Sequence, residues 1–206
     1  SQTFIEDHIA YISEEAEVIH GEFLPMFNQN KKCILEQKFI KSIQNANNQL
    51  VNEIYTEALG YYLKKNQFDI VLAEFGVVGA KIYKACERAD IPYVVHFHGY
   101  DATATPTLQK YAREYQDIFQ NASALVVVSE AMRDKLLSCG APENRVILNP
   151  YGVDISREDQ ACPEKSQPIF LAVGRFVEKK APHLTIQAFE KTAKTFPKSR
   201  LILVGD

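Results

Sequence analysis

Two histidines stand two residues apart, His96 and His98, at the end of an apolar run in "PYVVHFHGYD", and Gly99, Tyr100 and Asp101 follow them. Alternation along an extended chain puts both imidazoles on one face. Three chemistries fit such a cluster: a metal site, a substrate site at a strand's C-terminal end, or a hydrogen-bonded polar loop. The spacing comes close to the metallo-hydrolase pattern H-x-H-x-D-H. However, Asp101 falls one residue late, Ala102 replaces the final histidine, and only His183 lies further on. A zinc ion needs three or four N, O or S ligands, so the metal reading is short of ligands. His96 alone reads as a buried, hydrogen-bonded histidine. For His98, next to Gly99 at the strand's exit, position alone leaves a functional role and an ordinary polar loop equally open.

The second motif is "VGRFVEKKAPH". A strand ends at Val173-Gly174, Arg175 follows, Lys180 comes five residues later, and Pro182 suits the first turn of the next helix. These are the parts of an anion site. Gly174 permits close backbone approach, and a helix N-terminus offers free N–H groups with the positive end of a dipole. Arg175 can grip phosphate with two prongs, and Lys180 supplies a point charge. Each charge-assisted hydrogen bond contributes about 1.5–3 kcal/mol. On these residues alone a solvated basic turn stays open as the alternative. A third stretch, "EFGVVGAK" (Glu74 to Lys81), matches the dinucleotide fingerprint only at Gly76 and Gly79-Ala80. It lacks the tight phosphate turn, so its glycines are expected to let a helix pack closely on a strand. No P-loop, G-x-S-x-G or H-E-x-x-H motif is present, nor a D-x-D pair to hold a divalent ion against a diphosphate. A bound diphosphate would have to be neutralised by protein cations, and no metal or cofactor is expected.

The elements that must position these motifs alternate between strand and helix. "AEVIHG", "DIVLAEF", "PYVVHFH", "ALVVVS" and "RVILNPYG" read as strands. Helices are expected over about 3–13, 36–65, 106–119 and in "EAMRDKLLS", with Thr3 and Ser129 as N-caps. The long helix carries an apolar stripe of Phe39, Ile43, Leu50, Ile54, Ala58 and Tyr61; the 106–119 helix carries Leu108, Tyr111, Ala112, Tyr115 and Phe119. Continuous apolar runs such as "LVVV" predict strands covered on both faces, hence a parallel sheet in a doubly wound α/β domain. This domain covers 1–154. The polar segment 155–167 reads as a linker, and "PIFLAVG", "PHLTIQAFEKTAKTF" and "RLILVGD" open a second α/β domain over 168–206 with one β-α-β unit. The chain begins at Ser1 without methionine and stops in a strand and turn, so a fragment cut at both ends is expected.

Composition narrows the partners. A net charge of −3 offers no basic stripe for nucleic acid. The cysteines Cys33, Cys86, Cys139 and Cys162 are scattered without a C-x-x-C pair, which suits a reduced, cytoplasmic setting. No apolar run approaches the ~20 residues of a membrane span. Lys31, Lys32, Lys38 and Lys41 could face an anionic membrane surface, although a solvated helix face explains them as well.

Taken in order and spacing, "VVHFHGYD", "LNPYGVD" and "AVGRFVEKKAPHLTIQAFEKTAK…RLILVGD" resemble family 4 of the glycosyltransferases, retaining nucleotide-sugar enzymes built from two Rossmann-like domains (the GT-B fold). "SQTFIEDHI" is similar to members that act in polysaccharide or lipopolysaccharide assembly. The resemblance implies an N-terminal domain on the acceptor side and a C-terminal domain that binds the donor. It implies donor-diphosphate contacts at Gly174, Arg175 and Lys180, and a cleft histidine at His98 with the acidic Asp101 close behind, both in catalytic roles. Gly99 and Gly152, the latter in "GVD" at the domain junction, would line the substrate side. Tyr151 stands where the family often has asparagine, a variation expected to carry little. The implied partners are a nucleotide sugar and a carbohydrate or lipid-linked acceptor, at the cytoplasmic face of a membrane. The family's acceptor loop would precede Ser1 and its donor-gripping glutamates would follow Asp206, so this length of chain is expected to be inactive alone. Two other readings remain: a non-catalytic binding module derived from the same fold, and a histidine-ligated metallo-hydrolase.

Overall fold

A computed structural model of the chain describes residues 3–12, 15–44, 46–152 and 163–206. Contacts divide it into two compact units, Ser1–Gly152 and Val153–Asp206. The first unit is built on a four-stranded parallel sheet in the order β3 (Val71–Glu74), β4 (Tyr93–Phe97), β5 (Ala124–Val127), β6 (Val146–Leu148). Val95, Phe97, Leu125 and Val127 are fully buried, as their continuous apolar runs predict. Ahead of the sheet stand α1 (Thr3–Tyr11) and a small antiparallel ribbon, β1 (Ile19–His20) with β2 (Phe27–Asn28). "AEVIHG" therefore forms a strand, but a two-residue one outside the parallel sheet.

The long helix expected over 36–65 is two helices, α2 (Gln37–Gln44) and α3 (Asn48–Lys65). The break falls in the asparagine-rich "NANN", and Asn47 caps α3 by accepting from the Leu50 N–H at 3.1 Å. Asparagine side chains compete for backbone groups and so favour such ends over helix interiors. The buried stripe of α3 is Tyr55, Ala58, Leu59 and Leu63, whereas Leu50 and Tyr61, expected inside, are exposed. A short helix α5 (Tyr100–Thr103) comes first, and the helix expected over 106–119 is likewise divided, into α6 (Thr105–Lys110) and α7 (Ala112–Asn121). Tyr115, Ile118 and Phe119 are its buried residues, and Ala112 is exposed.

Helix α4 (Gly76–Ala89) joins β3 to β4, and its glycines do what close packing requires. A Cβ on Gly76 would lie 2.2 Å from the Phe97 ring, and one on Gly79 would lie 3.0 Å from both Val95 methyls. Helix α8 (Glu130–Ser138) starts at Ser129, whose hydroxyl accepts from the Met132 N–H at 3.3 Å, and Gly140 follows its end at φ 98°. In the second unit β7 (Ile169–Val173), α9 (Pro182–Thr195) and β8 (Arg200–Val204) form a β-α-β with parallel strands. Pro182 opens α9, as expected. The Thr3 cap, Cys162 and most of the 155–167 linker lie outside the described residues or side chains.

Candidate functional site

Strands β3 and β4 run parallel with Glu74 opposite His96, so a carboxylate and two imidazoles meet at the same C-terminal edge. His98 lies beyond the end of β4, and its side chain is only 2% exposed. Its Nε2 is 2.6 Å from Glu74 Oε2, and its Nδ1 bonds the Tyr151 hydroxyl. The other Glu74 oxygen is 2.7 Å from His8 Nδ1 on α1. Phe4, one turn earlier on α1, stacks on both the His98 and Tyr151 rings, at centroid distances of 4.3 and 4.9 Å. Burial pushes the Glu74 carboxyl up, but the hydrogen bonds from His98 and His8 outweigh it and hold the group below the usual carboxylate range. Burial and the charges of Glu74 and Asp101 raise the Tyr151 phenol to about 12, so it is neutral at pH 7.

Asp101, expected beside His98 in a catalytic, cleft-facing role, is instead wholly buried. Its carboxylate accepts from three backbone N–H groups: Gly76 at 2.8 Å, Gly99 at 2.8 Å and His98 at 3.0 Å. A short acidic side chain just past a strand meets the unpaired N–H groups there. Asp101 therefore ties the end of β4 to the start of α4, and it shapes the loop from beneath. Gly99 adopts φ 144°, a value that needs glycine, and a Cβ there would meet nothing within 4 Å. Phe75, between Glu74 and Gly76, is held at φ 80°. Strain of this kind costs about 1–3 kcal/mol and persists only where the surroundings over-determine it. Here it lets Glu74 reach His98 while the next N–H reaches Asp101.

His96 is buried, as expected, but the expected hydrogen bond is missing: its Nε2 has no partner among the described residues, and its Nδ1 lies 3.6 Å from Glu74 Oε2. Burial, with His98 nearby, lowers its pKa from 6.5 to about 4. His8, Glu74 and His96 offer ligand atoms within 4.8 Å of one another. Two ligands of one tetrahedral zinc ion stand about 3.3 Å apart, whereas His8 and Glu74 are 2.7 Å apart, in direct hydrogen-bond contact. His8 and Glu74 are satisfied by each other, and an ion would have to break that hydrogen bond.

In the second unit, Gly174 N–H bonds Val204 O at 2.9 Å and Phe176 N–H bonds Asp206 O at 2.7 Å, which fixes the loop after β7. A Cβ on Gly174 would lie 3.9 Å from Cγ and Cδ of Lys180, so the lysine stem passes over the glycine. Arg175 and Lys180 are exposed, and neither side chain has an ion pair or hydrogen bond among the described residues. The structure thus groups Gly174 and Lys180 at the N-terminus of α9, with Arg175 in the same loop. Gly152 is exposed beside Tyr151, and the other two residues of "GVD" lie outside the described set.

Sequence reasoning singled out His98 but missed Glu74, His8, Phe4 and Tyr151. Glu74 had one signal, a carboxylate ending an otherwise apolar strand. Tyr151 had another, the aromatic residue at a position where the resembled family often has asparagine.

Among curated proteins, the chain is 29% identical over 126 residues to the glycosyltransferase WcaL of Salmonella typhimurium, named for colanic acid biosynthesis, covering 58% of this chain and 30% of that protein. It is 27% identical over 141 residues to WcaL of Escherichia coli, covering 66% and 35%. The chain therefore spans about a third of the length of these relatives. Among solved structures, TarM superposes with a TM-score of 0.53 at 16% identity, covering 73% of this chain and 31% of TarM. A mutant of S. aureus TarM in complex with fondaparinux, alpha-GlcNAc-glycerol and UDP gives 0.51 at the same identity and coverage. Those likenesses show a shared fold, the Rossmann-like α/β arrangement of GT-B proteins. The sequence model of Glycosyltransferase Family 4 matches residues 40–157, more than half of the 206 residues, and the chain belongs to that family.

Proposed function

We propose that the protein to which this chain belongs transfers a sugar from a nucleotide diphosphate sugar to a hydroxyl of a carbohydrate or lipid-linked acceptor, with retention, in the assembly of a polysaccharide or lipopolysaccharide. The observation that carries the reading is the loop from Gly174 to Lys180, which leads into a 14-residue helix and carries a guanidinium and an ammonium that have no ion pair among the described residues. Departure of the nucleotide builds negative charge on its diphosphate. Fixed cations and free helix N–H groups stabilise that charge as it develops. Arg175 and Lys180 take this role, with Gly174 allowing close approach. The second unit is the donor side, and the first is the acceptor side. His98 orients the donor near its reacting carbon, and Gly99 and Gly152 leave room beside it. Asp101 supports His98 from below and does not touch substrate. WcaL's name connects a related protein to an exopolysaccharide, which supports the substrate class. No described helix is long and apolar enough to cross a membrane. Work at the cytoplasmic face of a membrane fits a lipid-linked acceptor.

The test is activity of the full-length protein against a panel of nucleotide sugars, read as nucleotide release. Arg175→Ala is expected to reduce turnover by about 10²–10³-fold, the loss typical of one removed transition-state donor. A wild-type rate in that variant, or nucleotide release abolished by EDTA, would refute the mechanism.

A further inference from the structure

We propose that Glu74, braced by His8, is the positioning residue that holds His98 as its Nε2–H tautomer and keeps Nδ1 as a hydrogen-bond acceptor. The inference rests on the reading of His98 as the residue that orients the donor. An ionised carboxylate has no hydrogen to donate, so each imidazole nitrogen facing it must carry one. His98 Nε2 faces Glu74 Oε2 at 2.6 Å and His8 Nδ1 faces Oε1 at 2.7 Å, so both oxygens receive an N–H. The lone pair of a neutral His98 is then on Nδ1, where the neutral Tyr151 hydroxyl donates to it. The opposite tautomer would aim a lone pair at a carboxylate.

Two features keep Glu74 in place. Cross-strand register sets it opposite His96, and the positive φ of Phe75 turns the chain sharply after it. His8 holds the second oxygen, which restricts rotation of the carboxylate about its own axis. The ring of His98 is fixed from the side by Phe4 and along its edge by Glu74. The nitrogen left on the Tyr151 side is thus presented in one protonation form and one orientation. Tyr151, 40% exposed, is the group that a ligand hydroxyl would replace.

Long-range proton–nitrogen correlation spectra of the full chain, labelled at histidine, read the tautomer directly, with His98→Gln assigning the signal. The wild type is expected to show His98 protonated at Nε2. Glu74→Leu removes both acceptor oxygens and is expected to move His98 toward the Nδ1–H form or a mixture. Glu74→Gln keeps the length and one acceptor oxygen, and is expected to retain more of the Nε2–H form. It also serves as the readout if the leucine variant does not fold. An Nδ1–H form in the wild type, or unchanged spectra in both variants, overturns the proposal. In the full-length enzyme Glu74→Leu is expected to lower kcat by about 100-fold, as misplacement of a positioned group does. The KM for the donor should be little changed and Glu74→Gln should restore part of the rate; unchanged kcat would also overturn it. The spectra decide the positioning whether or not any nucleotide sugar is turned over, so failure of the transfer reading and failure of this one are told apart.

Discussion

At the scale of single residues, the chemistry of "VVHFHGYD" divides by depth. Asp101 lies at the bottom and serves backbone; His98 lies above it and serves the site. This division predicts different losses. Asp101→Ala leaves three N–H groups without an acceptor. Each buried unsatisfied donor costs about 1–3 kcal/mol, so denaturant unfolding should show a loss of at least about 3 kcal/mol. A variant as stable as wild type, but inactive in the full-length enzyme, would return Asp101 to a catalytic role. The pattern of types in the sequence identifies His98 because a polar residue at a strand's exit is conspicuous. It does not separate Asp101 from it, because burial is a property of the loop's path. Glu74 and His8 are invisible for another reason: Glu74 comes 24 residues before His98 and meets it only through sheet register, and His8, 90 residues before His98, meets Glu74 only through helix packing.

At the scale of elements, strands were legible and helix continuity was not. "LVVV" and "YVVHF" have little alternative to buried parallel strands, and they are β5 and β4. The long stripe from Phe39 to Tyr61 looks continuous because helical spacing survives a short break. The asparagines that cause the break have to be weighed as caps rather than as helix residues. Asn47→Ala is expected to cost about 1 kcal/mol, measured by thermal or denaturant unfolding. Gly76 is a stricter case. Any Cβ there meets the fully buried Phe97 ring, so Gly76→Ala should cost about 1–3 kcal/mol as an overpacked core. A neutral Gly76→Ala would show that α4 can draw back from β4.

At the scale of the whole molecule, composition set the class and exclusions, while pairing set the behaviour. The lysines that composition offers to a membrane include Lys38, which bonds Glu36 at 3.1 Å and lies over the Phe39 and Tyr61 rings. In the second unit the apolar runs of β7 and β8 predict coverage on both faces, yet Phe170, Leu171, Val173, Ile202 and Val204 are exposed. Periodicity reports what a strand is suited to, and coverage depends on what packs against it. The buried histidine also gives the first unit a pH response. His96 is lowered from 6.5 to about 4, so the unfolded chain binds a proton in that interval that the folded chain does not. Stability therefore falls as pH drops from 6.5 to 4, by up to about 3 kcal/mol. The lowered Glu74 adds a loss of the same sign further down, as pH falls through its folded-state range. Unfolding measured across that interval should flatten in His96→Gln; an equal slope in the variant would exclude His96 as the source.

The Phe4 ring, in contact with both His98 and Tyr151, also makes an optical handle. The 206 residues contain no tryptophan, so Phe4→Trp would place the chain's single indole against the histidine and the tyrosine. Its emission would report, in real time and without substrate labelling, whether that stack opens when a nucleotide sugar is added.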